Sequence, residues 1–214
     1  MKTDPEQFIL ANTGLVAPPH VPEIRLHLAT EAHELWLKTE DELQEIGLPP
    51  PFWAFAWAGG QGLARYILDN PQIVSGKRVV DFASGSGLVA IAAAKAGASN
   101  VVAADIDPWA ATAVRLNTNI NGVDVGFIGN DLVGKALDAD ILLAGDVFYD
   151  RDFAKVLTPW FSKLAEEGVV VLVGDPGRAY LPNKRMERCA TYEVPVTRAL
   201  EDSEIKKTTV WRFI

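Results

Sequence analysis

From Lys77 onward the chain alternates short runs of apolar, β-branched residues with longer stretches of helical spacing. Arg78-Val79-Val80-Asp81-Phe82 is followed by a helical pattern over residues 88–96, then by an extended run at 100–105 and a second helical pattern at 108–121. Extended runs at 125–128, 139–145 and 168–174, with a helix from about Asp152 to Glu166 between the last two, continue the alternation. This rhythm predicts five strands of a doubly wound parallel sheet with helices on both faces. Asp107 is placed to cap a helix whose first residue is Pro108, where a missing N–H costs nothing, and Gly122 stands just past its end. After Gly174 the pattern changes. Residues 191–198 and 205–214 read as two extended segments joined by the polar turn Glu201-Asp202-Ser203, an antiparallel hairpin at the sheet edge.

The first part of the chain is less regular. Helical spacing over 4–13, an extended piece at 20–28, a second helical pattern at 32–46 and an apolar stretch at 49–60 suggest an N-terminal helical cap, residues 1–48, lying over the active site of one domain that spans 1–214. The chain shows no internal repeat and no low-complexity tract.

A buried strand, a glycine-containing turn and a helix let backbone N–H groups approach a ligand closely, and Asp81-Phe82-Ala83-Ser84-Gly85-Ser86-Gly87 has that form. Glycines at 85 and 87 leave out Cβ atoms that would obstruct a ribose or a carboxylate, and Ser84 and Ser86 add hydroxyls. On its own this supports a ligand-binding turn or a plain tight turn. Asp105, about 20 residues further on at the end of the next strand, suits the two ribose hydroxyls of an adenosine, a feature common to NAD and S-adenosylmethionine (SAM) sites. Seven strands ending in a hairpin favour SAM, because dinucleotide-binding folds continue with further βα units. The expected class is therefore α/β, a seven-strand class I SAM-methyltransferase (Rossmann-like) sheet, mostly parallel, with a C-terminal antiparallel hairpin. Cofactor contacts are expected at Trp57, Asp81, Ala83, Ser84, Gly85, Gly87, Asp105 and Ile106, and, after the third strand, at Asn130, Asp131 and Leu132 beside the adenine.

The fourth strand ends in Gly145-Asp146-Val147-Phe148-Tyr149, where open α/β sheets place their ligands. Asp146 and Tyr149 are the catalytic candidates. A lysine with a pKa near 10.4 is neutral in only about one molecule in 2,500 at pH 7, so an acid that orients the incoming ammonium before its proton leaves to water would help. Alignment for in-line attack then supplies most of the catalysis. The Asn/Asp-Pro-Pro-Tyr/Phe pattern associated with amide and nucleobase methylation is absent at this position. In Phe52-Trp53-Ala54-Phe55-Ala56-Trp57-Ala58-Gly59-Gly60-Gln61, Trp57 beside two glycines reads as a cofactor wall, while Phe52 and Phe55 read as well as core.

Bulk properties narrow the partners. A net charge of −8 argues against nucleic acid, whose binders carry basic surfaces. Lys184, Arg185, Arg188, Lys206 and Lys207 nonetheless crowd the C-terminal part, where a solvated edge is the plain reading. Cys189 stands alone, and His20, His27 and His33 lack metal-ligand spacing, so neither disulfide nor metal is expected. No run approaches the roughly 20 apolar residues that span a bilayer, and residues 1–6 resemble neither a signal nor a transit peptide. These features lead to the expectation of a monomeric, cytoplasmic protein that binds neither nucleic acid nor membrane.

Residues 50–61, the loop 81–87, Asp105-Ile106-Asp107, Asp146-Val147-Phe148-Tyr149 and Gly174-Asp175-Pro176-Gly177-Arg178 together resemble the family 16 seven-strand methyltransferases, in particular the electron transfer flavoprotein beta-subunit lysine methyltransferases. The resemblance covers about residues 49–180. It implies SAM-dependent protein-lysine N-methylation, with S-adenosylhomocysteine as product, the Asp-x-x-Tyr motif addressing the lysine, and the flavoprotein beta subunit as substrate. It further implies substrate contacts at Trp53, Phe148, Asp175 and Arg178. The general pattern has glycine where this chain has Ala83. Mitochondrial members of the family carry a transit peptide, which residues 1–6 do not resemble, so the resemblance implies the cytoplasm of a bacterium. Alternatives on the same scaffold are a methyltransferase of a ribosomal protein or of a small molecule and, in another class, a non-catalytic SAM-fold binding module.

Overall fold

A computed structural model describes residues 4–29, 50–196 and 204–214. The expected helix at 32–46 and the turn 201–203 lie outside them. The N-terminal segment forms helix α1 (Pro5–Asn12), capped by the Asp4 carboxylate, and two three-residue strands, β1 (Gly14–Val16) and β2 (Leu26–Leu28), which pair antiparallel. The extended run expected over 20–28 shrinks to β2. Pro18, Pro19 and Pro22 interrupt backbone pairing, and the chain instead turns through bonds from Val21 N–H to Pro18 and from Ile24 N–H to Val21.

The remaining elements follow the predicted alternation. They are α2 (Ala58–Asp69), β3 (Arg78–Phe82), α3 (Leu88–Lys95), β4 (Asn100–Ala104), α4 (Pro108–Asn121), β5 (Gly126–Ile128), β6 (Ile141–Gly145), α5 (Arg151–Glu166), β7 (Val170–Asp175), β8 (Met186–Pro195) and β9 (Ile205–Phe213). The seven-stranded sheet has the order β5-β4-β3-β6-β7-β9-β8, with β3 to β7 parallel and β9 antiparallel to both β7 and β8. The chain winds outward from β3 to β5, then crosses back to β6, so the switch point lies between the carboxyl ends of β3 and β6.

Alternation along the buried strands splits the core into two layers. Val79, Leu143 and Leu172 pack towards α2 and α3 with Leu63, Ile67 and Ile91, whereas Val80, Phe82, Leu142 and Val171 pack towards α5 with Leu157 and Phe161. Both layers are apolar, which fits strands that read as continuous hydrophobic runs. Helix α4 has the predicted ends: the Asp107 carboxylate accepts from Trp109 N–H, Pro108 opens the helix, and Gly122 closes it in the left-handed region at φ 63.

Candidate active site

Four features at the carboxyl edge of the sheet build a cavity of about 590 Å³, within the ordinary range for small-molecule sites. The first is the turn from β3 into α3. Gly87 N–H bonds Ser84 O at 2.8 Å, and Ala83, Gly85 and Gly87 all have positive φ, at 54, 49 and 80. Ala83 therefore holds, with a Cβ, a conformation that glycine takes freely, at the position where the family pattern has glycine. Gly87 does not line the cavity; its left-handed backbone and a Cβ that would lie 3.1 Å from Val114 Cγ2 on α4 account for a glycine there.

Two carboxylates hold this turn. Asp81 is fully buried and accepts from Ala90 N–H in the first turn of α3 at 2.9 Å; burial pushes its carboxyl up to about 8. At the end of β4, Asp105 accepts from Gly85 N–H at 2.8 Å and Asp107 N–H at 3.0 Å, and burial raises its carboxyl too. Asp107 is held up to about 6, first by burial and then by the charge of Asp105, the hydrogen bond from Trp109 N–H pulling the other way. Buried Asn117 ties the turn to the N-terminal segment, donating to Ser86 O at 2.8 Å and accepting from His27 N–H at 2.7 Å.

The third feature is the start of α2, which meets the ends of β6 and β7 backbone to backbone. A Cβ at Gly145 would lie 2.8 Å from Gly60 Cα and 2.9 Å from Gly60 N, and one at Gly59 would collide with Gly174 O. This approach brings two amides of α2 onto Asp146. Its Oδ2 accepts a very short bond from Gly59 N–H and a longer one, 3.3 Å, from Gly60 N–H. Asp146 Oδ1 accepts from Arg178 Nε and Nη2 at 2.9 and 2.7 Å, and its backbone is left-handed at φ 57. The helix after β6 is capped by Asp150, whose Oδ1 accepts from the amides of Asp152 and Phe153.

The fourth is an aromatic mouth. Phe52 stands 5.9 Å from the Trp57 ring and 5.8 Å from the Tyr149 ring, and Trp57 Nε1 donates to Phe52 O at 3.1 Å. Tyr149 is half exposed, and Phe52 is 39% exposed.

Of the residues singled out from sequence, Trp53, Trp57, Asp81, Ala83, Ser84 and Gly85 line the cavity, as do Asp105, Ile106, Asp146, Tyr149 and Arg178. Others stand elsewhere. Asn130 and Asp131 lie exposed beyond β5, at the sheet edge, where the Asp131 carboxylate caps Val133 N–H; Leu132 is buried in the α5 layer. Phe148 is fully buried between Phe161 and Phe213, with no face to a substrate. Buried Asp175 accepts from the amides of Gly177 and Arg178, so it shapes the turn that presents Arg178. Of the expected cap, residues 4–29 pack on α4 and the 52–54 turn, as in the edge contact of Phe8 with Trp109, and none of them lines the cavity. Phe52, left open between core and site by its sequence, belongs to the mouth; the glycines Gly59 and Gly60 that follow its segment are the available signal.

The protein-family model described as ribosomal protein L11 methyltransferase (PrmA) matches residues 65–174. An electron transfer flavoprotein beta subunit lysine methyltransferase of Xenopus laevis is 39% identical over 99% of this chain and 87% of its own length. The protein of that name from Homo sapiens is 37% identical over 98% and 83%. Among solved structures, magnesium protoporphyrin IX methyltransferase from Synechocystis PCC 6803, with bound SAM, superposes with a TM-score of 0.54 at 13% identity, covering 86% of this chain and 97% of that one; it shares the fold. These relatives overturn the expectation of a bacterial protein, since both match along nearly the whole chain and both are animal proteins. That expectation leaned on the composition of the first few residues, which does not determine a compartment. The architecture is that of the class I methyltransferases, and the chain belongs to the family of electron transfer flavoprotein beta subunit lysine methyltransferases, inside the wider group that the L11 methyltransferase pattern describes.

Proposed function

We propose that this protein transfers a methyl group from SAM to lysine side chains of the electron transfer flavoprotein beta subunit. The observation that carries the reading is a cavity with two chemically distinct ends, one polar and buried, one aromatic and open, in a chain 37–39% identical to enzymes of that name along nearly its whole length. The residues of the buried end fit the methyl donor. Ser84 Oγ is buried without a hydrogen-bond partner, and Asp105 keeps acceptor capacity beyond its two backbone bonds, as a pair of ribose hydroxyls requires. Bound SAM supplies an electrophilic methyl on a positively charged sulfur.

The chain's own residues then bind, orient and exclude water. Asp105 and the Gly85 turn hold the nucleoside, Trp57 and Ile106 wall it, and Phe52, Trp57 and Tyr149 grip the aliphatic stem and cationic end of a lysine by apolar contact and cation–π attraction. A protein acceptor rather than nucleic acid suits a chain of net charge −8. The test is incubation of the purified protein with the flavoprotein beta subunit and isotope-labelled SAM, followed by peptide mass spectrometry. Label on lysine is expected. Labelling of ribosomal proteins alone, or SAM binding with no transfer, would point to the other substrate or to a binding module.

A further inference from the structure

The Asp146 carboxylate is already saturated. Its Oδ2 accepts from the amides of Gly59 and Gly60, and its Oδ1 from Arg178 Nε and Nη2. An ionised carboxylate offers about four lone-pair positions, so these four N–H groups occupy it without room for a substrate ammonium. Two donors belong to the first turn of α2, the positive end of a helix, and two to a guanidinium that stays charged at any working pH. The left-handed backbone at Asp146 is a conformation that a residue with a Cβ keeps only where its surroundings impose it. Arg178 is in turn presented by the turn that Asp175 fixes, through bonds of 2.7 Å from the amides of Gly177 and Arg178.

We infer that Arg178 is a positioning residue that acts through Asp146, locking that carboxylate against the start of α2 instead of gripping the acceptor lysine itself. The inference rests on the methyltransferase reading for its kinetic consequences only. On this arrangement Asp146 neither collects the ammonium nor takes its proton. It keeps the start of α2, which carries Trp57, in register with the end of β6, which carries Tyr149, so the two walls of the aromatic mouth stay correctly spaced.

A double-mutant cycle of Arg178→Ala and Asp146→Asn tests this, read by initial rates of methyl transfer and by amide hydrogen exchange at Gly59 and Gly60 in the free protein. Each single substitution is expected to lower kcat about 100-fold, the effect of a misplacement near 1 Å, with KM for the protein substrate little changed. The double variant is expected to match the slower single variant within about twofold. Arg178→Lys, which keeps the charge but not the two-donor fork, recovers part of the rate, and it carries the same test if Arg178→Ala does not fold. Exchange at Gly59 and Gly60 accelerates in both single variants, because Arg178→Ala unlocks the carboxylate and Asp146→Asn leaves one neutral oxygen that cannot serve both the amides and the guanidinium. Losses that multiply, a change in KM alone, or exchange at those amides as slow as in the unaltered protein would overturn the inference. Absence of transfer by the unaltered protein would instead refute the methyltransferase reading, and the exchange measurement, which needs no substrate, would still decide the role of Arg178.

Discussion

Replacing Gly145 by alanine adds one methyl group where the end of β6 meets the start of α2 backbone to backbone. Gly145 closes β6 with an ordinary extended backbone, so alanine is conformationally acceptable and the effect is steric alone. The new Cβ would stand 2.8 Å from Gly60 Cα and 2.9 Å from Gly60 N. Carbon atoms rest at about 3.5–4.0 Å, so the start of α2 must retreat by roughly 1 Å. The Gly60 amide, already 3.3 Å from Asp146 Oδ2, would then lose that bond. Overpacking of this kind destabilises by about 1–3 kcal/mol, and a displacement of this size across a site lowers rate about 100-fold. Urea unfolding monitored by circular dichroism reads the first quantity; methyl-transfer kinetics on the folded variant read the second. Gly129→Ala is the control, since its Cβ would meet Phe127 at an ordinary 3.7 Å, and it should change neither. Gly145→Ala with unaltered stability and rate would show that α2 is not held by this contact.

Other consequences are as direct. Asp105→Asn exchanges a charged acceptor for a neutral one, so calorimetry should show SAM affinity lowered by about 1.5–3 kcal/mol, while an unchanged affinity would remove Asp105 from the cofactor site. Asn117→Ala deprives Ser86 O and His27 N–H of their partners and should cost about 2–4 kcal/mol in urea unfolding; a loss below about 0.5 kcal/mol would mean that water replaces the amide. The carboxyls of Asp81 and Asp107 titrate above their unfolded values, at about 8 and about 6. The folded state thus retains protons that the unfolded chain releases, and stability that is complete at low pH is lost as pH rises through those values. Unfolding free energy should fall between about pH 4 and pH 8, at up to roughly 1.4 kcal/mol per unit for each proton that only the folded state retains, and Asp81→Asn should abolish the part of the decline above about pH 6; a flat profile in the unaltered protein would contradict the buried, protonated Asp81.

Much of the fold was legible because it depends on local rules. Asp107, Pro108 and Gly122 bracket α4 residue for residue, and the β-branched runs located β3, β4 and β6 closely. The hairpin was foreseen, but its first strand begins at Met186 rather than at 191, since exposed Glu187 and Arg188 hide the alternation there. β1 is too short for periodicity to register, and β2 is only the end of the extended run expected over 20–28. In the site, motif position told which strand end a residue follows but not which way it faces. Asn130 and Asp131 follow an edge strand and so miss the cavity, and Phe148 turns inward onto Phe161 although its motif neighbours face the site. The saturation of Asp146 was illegible for another reason: its donors lie in two distant segments, around Gly59 and at Arg178, and only the folded sheet brings them together.

The hairpin also bears on how a partner can be received. β8 is the edge strand on the hairpin side of the sheet, and it carries Glu187, Arg188 and Glu193, ends on Pro195, and breaks register between Arg188 and Ala190. Charge, proline and a bulge are the devices by which an edge refuses strand addition. A protein docking here would find no continuous ladder to extend, so recognition falls to side chains. At this edge an acceptor would offer its lysine from a loop or helix, with its backbone outside the ladder.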